Sequence, residues 1–131
     1  MPRADGRAIL PADMLLYLAT PYSKYPQGLG AAHDAAAEAV ALLLGAGLDV
    51  ISPVCACHHV ARLSGMDPKI GNPVWMRLNR KLMERCDALV VVMMDGWDKS
   101  LGVSLEIQFF EAARKPVKYM LPGSVPDWAL T

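Results

Sequence analysis

Four short apolar runs, separated by turn-rich breaks and helical periods, organise this chain. Met14–Thr20 (MLLYLAT), Leu48–Ser52 (LDVIS), Asp87–Met94 (DALVVVMM) and Val117–Leu121 (VKYML) have the length of strands. Met14–Thr20 and Asp87–Met94 alternate too little to leave one face in water, so these two read as buried parallel strands. Between them, Ala31–Leu44 is alanine-rich and helical, with Gly45 and Gly47 as its stop. Pro73–Arg85 (PVWMRLNRKLMER) reads as a helix with proline in its first turn. A third helix runs from Val103 until Lys115-Pro116 breaks it. Cys55–Asn72 is the least regular stretch, with a short helix expected near His59–Leu63. Strands alternating with helices imply right-handed crossovers and a parallel sheet covered on both faces. The predicted fold is α/β, a Rossmann-like or flavodoxin-like three-layer sandwich with Leu89–Met94 in the central strand. Residues 1–13 read as a flexible leader, 14–121 as a single domain, and 122–131 as a surface tail with Trp128 as the residue able to dock.

One residue breaks the pattern. At about 100° per residue, Ser104, Gln108, Glu111 and Lys115 share a solvated helix face, while Glu106 points nearly opposite, among Phe109, Phe110 and Ala113. A carboxylate on an apolar face needs a partner, a pocket or a chemical task. The preceding strand and the loop Asp95–Gly102 (DGWDKSLG) put Glu106 near a helix N-terminus at the carboxyl edge of the sheet. Ligands bind at such edges.

Other polar groups converge on the same edge. Asn79 falls with Trp75, Leu78, Leu82 and Met83 on the apolar side of its helix. It either satisfies a buried backbone group or faces a ligand with Glu106. Tyr17 lies within the first strand, and the loop after it carries Thr20, Tyr22 and Ser23, whose hydroxyls could reach a sugar, phosphate or carboxylate. Equally, Tyr17 is a core aromatic with a satisfied hydroxyl, the reading preferred for Tyr22 and Tyr25. Ser100-Leu101-Gly102 makes an anion site at a helix start, or an ordinary N-cap, which taken alone is the commoner occurrence. Cys55-Ala56-Cys57-His58-His59 lacks metal-ligand spacing, so no metal site is expected. It is expected instead to form a loop carrying His58 or His59 over the sheet edge.

Composition narrows the classes. The chain has 131 residues, 53% hydrophobic and 20% charged, with zero formal net charge. That suits one globular domain and disfavours polymeric nucleic acid as a partner. No run approaches the roughly 18 apolar residues of a membrane span, and no signal peptide is visible. Three cysteines argue against a disulfide framework and for a reducing cytoplasm.

LYLATPYS, GLDVISPV, WMRLN and CDALVVVMMDGWDKSLGVSLEIQFFEAARKPVKYM together resemble the nucleoside 2-deoxyribosyltransferase-like superfamily, and among it small bacterial and phage members. SLGVSLEI with the following KPV is also similar to the 2′-deoxynucleoside 5′-monophosphate N-glycosidases. The resemblance spans residues 14–121, and Cys86–Met120 carries most of it. It implies cleavage of the N-glycosidic bond of a nucleotide or nucleoside, with no metal or organic cofactor. Glu106 would attack the anomeric carbon and Tyr17 would orient it. Ser100 and Gly102 match a 5′-phosphate contact. The transferases acting on free nucleosides carry aspartate at the position of Ser100, which tilts the expectation towards a monophosphate. A homodimer or larger homo-oligomer, with a neighbour's residues closing the pocket, is also implied. Asn79 departs from the family, which has an aspartate there to assist protonation of the departing base. An amide is no general acid, so Asn79 is left to contact sugar or base. Asp95, Asp98 or His58 would supply the proton, or activity is lost. Trp97 could stack on a base. The rival expectations are a nucleotide-sensing module without turnover, an interaction domain with an unused cleft, and a phosphotransfer enzyme, which the missing P-loop disfavours.

Overall fold

The computed structural model describes residues 13–68 and 72–129, so the expected leader lies outside it except for Asp13. The apolar runs form β1 (Leu15–Ala19), β2 (Asp49–Ile51), β3 (Ala88–Val92) and β4 (Val117–Met120). All pair in parallel, in the order β2-β1-β3-β4. The helices are α1 (Leu29–Gly45), α2 (Pro53–Ser64), α3 (Pro73–Arg85) and α4 (Leu101–Ala112), with short 3₁₀ turns at Trp97–Lys99 and Asp127–Ala129. The architecture is the expected α/β sandwich.

Strand alternation sorts the core into two layers. Leu16, Leu18, Val90 and Val92 face α1, which presents Ala36, Ala39 and Leu43. Small alanines let α1 lie close to the sheet. Tyr17, Ala19, Leu89 and Val91 face the other way, onto Val103 and Phe110 of α4 and Leu82 and Met83 of α3. All five residues of β3 are buried, as its wholly apolar sequence requires. Among the described residues no helix is long and apolar enough to cross a membrane.

Three local expectations are corrected. The stretch after β2 forms a twelve-residue helix, Pro53–Ser64, rather than an irregular loop with only a short helix near His59–Leu63. Ser52 caps it by accepting the Cys55 N–H at 3.1 Å, and Pro53 occupies its first turn; both are standard start signals. Leu78 is exposed rather than on the apolar side of α3. The docking expected of Trp128 is present: with Val125 it packs on the α1 layer, and its indole N–H donates to the Tyr119 carbonyl at 2.8 Å. Lys115 is not on a solvated helix face. Arg114, at φ 58°, turns the chain out of α4, and the Lys115 ammonium donates to the carbonyls of Met83, Glu84 and Cys86 at 3.3, 3.0 and 2.7 Å.

Those carbonyls are orphans of the α3 C-terminus, where a cation is favoured. Hydrogen bonds to a charged group contribute about 1.5–3 kcal/mol. Lys115→Met is expected to cost about 2 kcal/mol, read as a lower urea midpoint with unchanged slope. An unchanged midpoint would show that the three bonds contribute nothing net.

Candidate active site

The strand order creates the site. From β1 the chain crosses to β2 on one side, and from β3 it crosses to β4 on the other. The chain therefore leaves the carboxyl ends of the paired strands β1 and β3 in opposite directions, and the crevice between those connections is the topological switch point where open α/β sheets take their ligands. A cleft of about 1200 Å³ opens there, larger than most small-molecule sites.

Glu106 is at its wall. In α4 the buried positions are Val103, Glu106 and Phe110, so the carboxylate occupies a place in the core stripe. It is 8% exposed and lines the cleft. The Tyr17 hydroxyl donates to its Oε2 at 2.5 Å. Tyr17 is itself fully buried, and its ring lies 5.8 Å from that of Phe110. Burial pushes the Glu106 carboxyl up to about 8, and the Tyr17 hydrogen bond works in the opposite direction. Burial, then the charge and hydrogen bond of Glu106, hold the Tyr17 phenol far above its usual range. Tyr17 therefore donates a hydrogen bond at all ordinary pH values and gives up no proton.

Ser100 caps α4: its Oγ accepts the Val103 N–H at 3.2 Å. The ordinary N-cap is thus present, but Ser100 and Gly102 also line the cleft. A capping hydroxyl that accepts from the backbone keeps its own O–H free to donate. Gly96, at φ 85°, permits the left-handed turn that brings the segment after β3 to the cleft wall.

The structure brings Thr20, Ser23 and Asn79 to the same cleft. Two of them carry orphaned polar atoms. Thr20 Oγ1 and Asn79 Oδ1 are buried with no hydrogen-bond partner among the described residues. Asn79 therefore does not satisfy a buried backbone group through that oxygen. Unpaired buried polar atoms cost free energy unless a ligand or water completes them.

Three expected site residues lie elsewhere. Asp95 is exposed and accepts from the Gln27 amide at 3.3 Å. Trp97 packs edge-on against Tyr119 and joins the α4-side core, because the 3₁₀ turn directs Lys99 rather than the indole to the cleft. His58 sits on α2 and stacks on His33 of α1 at 4.7 Å. It does not line the cleft itself but meets a lining residue, Tyr22, whose hydroxyl is 2.7 Å from His58 Nδ1. Asp98, the other proposed proton source, is also outside the lining.

Sequence reasoning missed Lys24, Asp67, Trp75 and Lys99 as lining residues and set Tyr22 and Cys57 aside. One signal was present: Trp75 and Asn79 are four apart on α3 and so share a face.

Residues 14–121 match the family model described as "Domain of unknown function (DUF1937)". No curated protein matches the chain.

Proposed function

We propose that this chain, which belongs to the DUF1937 family, cleaves the N-glycosidic bond of a nucleoside 5′-monophosphate or nucleoside. One observation carries the reading: a buried carboxylate, bonded to a buried tyrosine hydroxyl, opens onto a large cleft at the sheet's switch point. In this reaction Glu106 attacks the anomeric carbon as the carbon–nitrogen bond breaks through an oxocarbenium-like transition state. The carboxylate stabilises that positive charge, then holds the sugar as an ester until water or an acceptor base releases it. Tyr17 orients the nucleophile. The Ser100 hydroxyl and the free N–H groups at the start of α4 receive the 5′-phosphate. Thr20 and Ser23 meet the sugar, and Asn79 contacts sugar or base. The resemblance noted above supports the same assignment. An assembly of two or more copies in a reducing cytoplasm belongs to this reading, in keeping with the free state of all three cysteines.

A second reading rests on Asn79 and Thr20. Their unpaired atoms suit ligand recognition, and a nucleotide-sensing domain would bind without cleaving.

The test incubates the full chain with ribo- and deoxyribonucleoside 5′-monophosphates and the matching nucleosides, and resolves free bases by chromatography. Base release is the expected result. A ligand-dependent rise in melting temperature without base release would instead establish the sensing domain. Ser100→Ala is expected to raise KM for monophosphates about tenfold or more, the scale of one charge-assisted hydrogen bond, and to cost about 1 kcal/mol of stability as a lost cap. An unchanged KM would remove Ser100 from the phosphate contact.

A further inference from the structure

The described cleft lining includes three buried polar groups, Thr20, Glu106 and the amide oxygen of Asn79, and only one belongs to an acid. That acid is Glu106, which as the nucleophile acts ionised and has no proton to give. A hydroxyl and an amide do not protonate a departing base at neutral pH. The other titratable groups of the described lining are poorly suited. Lys24, Asp67 and Lys99 are exposed at the rim. Burial raises the pKa of Tyr22 and of Cys57, with the Cys57 charge adding to the effect on Tyr22, so both hold their protons more tightly. The cleft has a nucleophile and polar contacts, but no buried acid to serve the leaving group.

We propose that the cleft acts on N-glycosides whose base departs without taking a proton: nucleotides whose ring nitrogen already carries positive charge, as in pyridinium or N7-alkylpurinium nucleotides. This rests on Glu106 being the glycosidase nucleophile. The step balances without an acid. A bond forms between a Glu106 oxygen and C1′ while the bond from C1′ to the charged nitrogen breaks. Its electron pair returns to the ring, which leaves neutral. Water then adds at C1′, restores the carboxylate and gives one proton to solvent.

Two features favour a cationic substrate. Glu106 is desolvated and has a hydrogen-bond donor but no cation bonded to it among the described residues. A ring cation entering the cleft compensates a buried carboxylate in a way that a neutral base does not. Trp75 and Tyr22 add aromatic surface to the lining, which attracts a delocalised cation.

The test measures base release by the full wild-type chain from four pairs. These are oxidised and reduced nicotinamide mononucleotide, oxidised and reduced nicotinamide adenine dinucleotide, and 7-methylguanosine 5′-monophosphate with its unmethylated parent in both ribo and deoxy forms. Each rate is divided by the spontaneous rate, because charged N-glycosides are intrinsically more labile. The expected result is an enhancement at least about a hundredfold greater for the charged member, the scale at which a missing general acid penalises the neutral one. The pyridinium and purinium arms separate the two sources of charge. Asn79→Asp is expected to narrow the ratio at least about tenfold by supplying an acid. Equal enhancement for charged and neutral members would overturn this inference and leave the glycosidase intact. So would release of neutral bases that Asp67→Asn abolishes. No base from any substrate would overturn the glycosidase reading itself, and this inference with it.

Discussion

Glu106→Gln is expected to stop base release, lowering kcat/KM by about a thousandfold or more, as loss of a covalent nucleophile does. The amide keeps the shape of the side chain and can still accept from the Tyr17 hydroxyl. The fold should therefore survive, which separates lost chemistry from lost structure. Stability should change in the opposite direction to activity. Burial raises the Glu106 carboxyl from its ordinary 4.5 to about 8. Between those values the folded state binds a proton that the unfolded chain has released, so stability falls as pH rises through that window and is level above it. Glutamine removes the loss. The variant should match wild type near pH 4 and melt higher at pH 8 and above, by at least a few degrees if about 1 kcal/mol is recovered. Thermal scans across pH check this. A variant that melts lower at pH 8 would mean that the carboxylate is stabilised in place, against its being held at a desolvation cost. Retained base release would remove it as nucleophile.

Tyr17→Phe should move the pH profile. In the proposed reaction Glu106 acts ionised, so kcat/KM of the wild type should rise with pH and level off above about 8. The Tyr17 hydroxyl stabilises the charged form, which is why it pulls the carboxyl downward against burial. A hydrogen bond to a charged group contributes about 1.5–3 kcal/mol, and 1.36 kcal/mol is one pH unit, so its loss should shift the acid limb about one to two units to higher pH. Phenylalanine keeps the ring packed near Phe110, 5.8 Å away in the wild type. Activity at pH 7 should then drop about tenfold or more, with partial recovery at pH 9. A uniformly scaled profile with an unmoved limb would show that Tyr17 packs the core without tuning the nucleophile.

The frame was legible because its signals are local. A wholly apolar run such as Ala88–Val92 has nowhere to go but a doubly covered strand. Glu106 was legible for the same reason inverted: the helical period placed a carboxylate in a core stripe, and that position is where the structure has it, beside Val103 and Phe110. The segment from Pro53 to Ser64 was less legible. Its cysteines and histidines have no clear period, and the start signal Ser52-Pro53 was the stronger guide. Asp95, Trp97 and His58 were misplaced because neighbours in sequence were read as neighbours in space. A single 3₁₀ turn after Gly96 reversed which of Trp97 and Lys99 meets the cleft.

By itself, the sequence determined the strands, most helices, their alternation along the chain and the anomalous carboxylate, since each depends on contacts within a few residues. Only the tertiary structure decided that β1 and β3 are adjacent, with Tyr17 beside Leu89. It also decided that a hydroxyl 89 positions from Glu106 meets its carboxylate, and that Thr20 and Asn79 are left with unpaired atoms in one cleft. Those outcomes depend on strand order and on how closely α3 and α4 pack onto the sheet. Such long-range pairings are set by the whole core at once, and no window of the chain contains them.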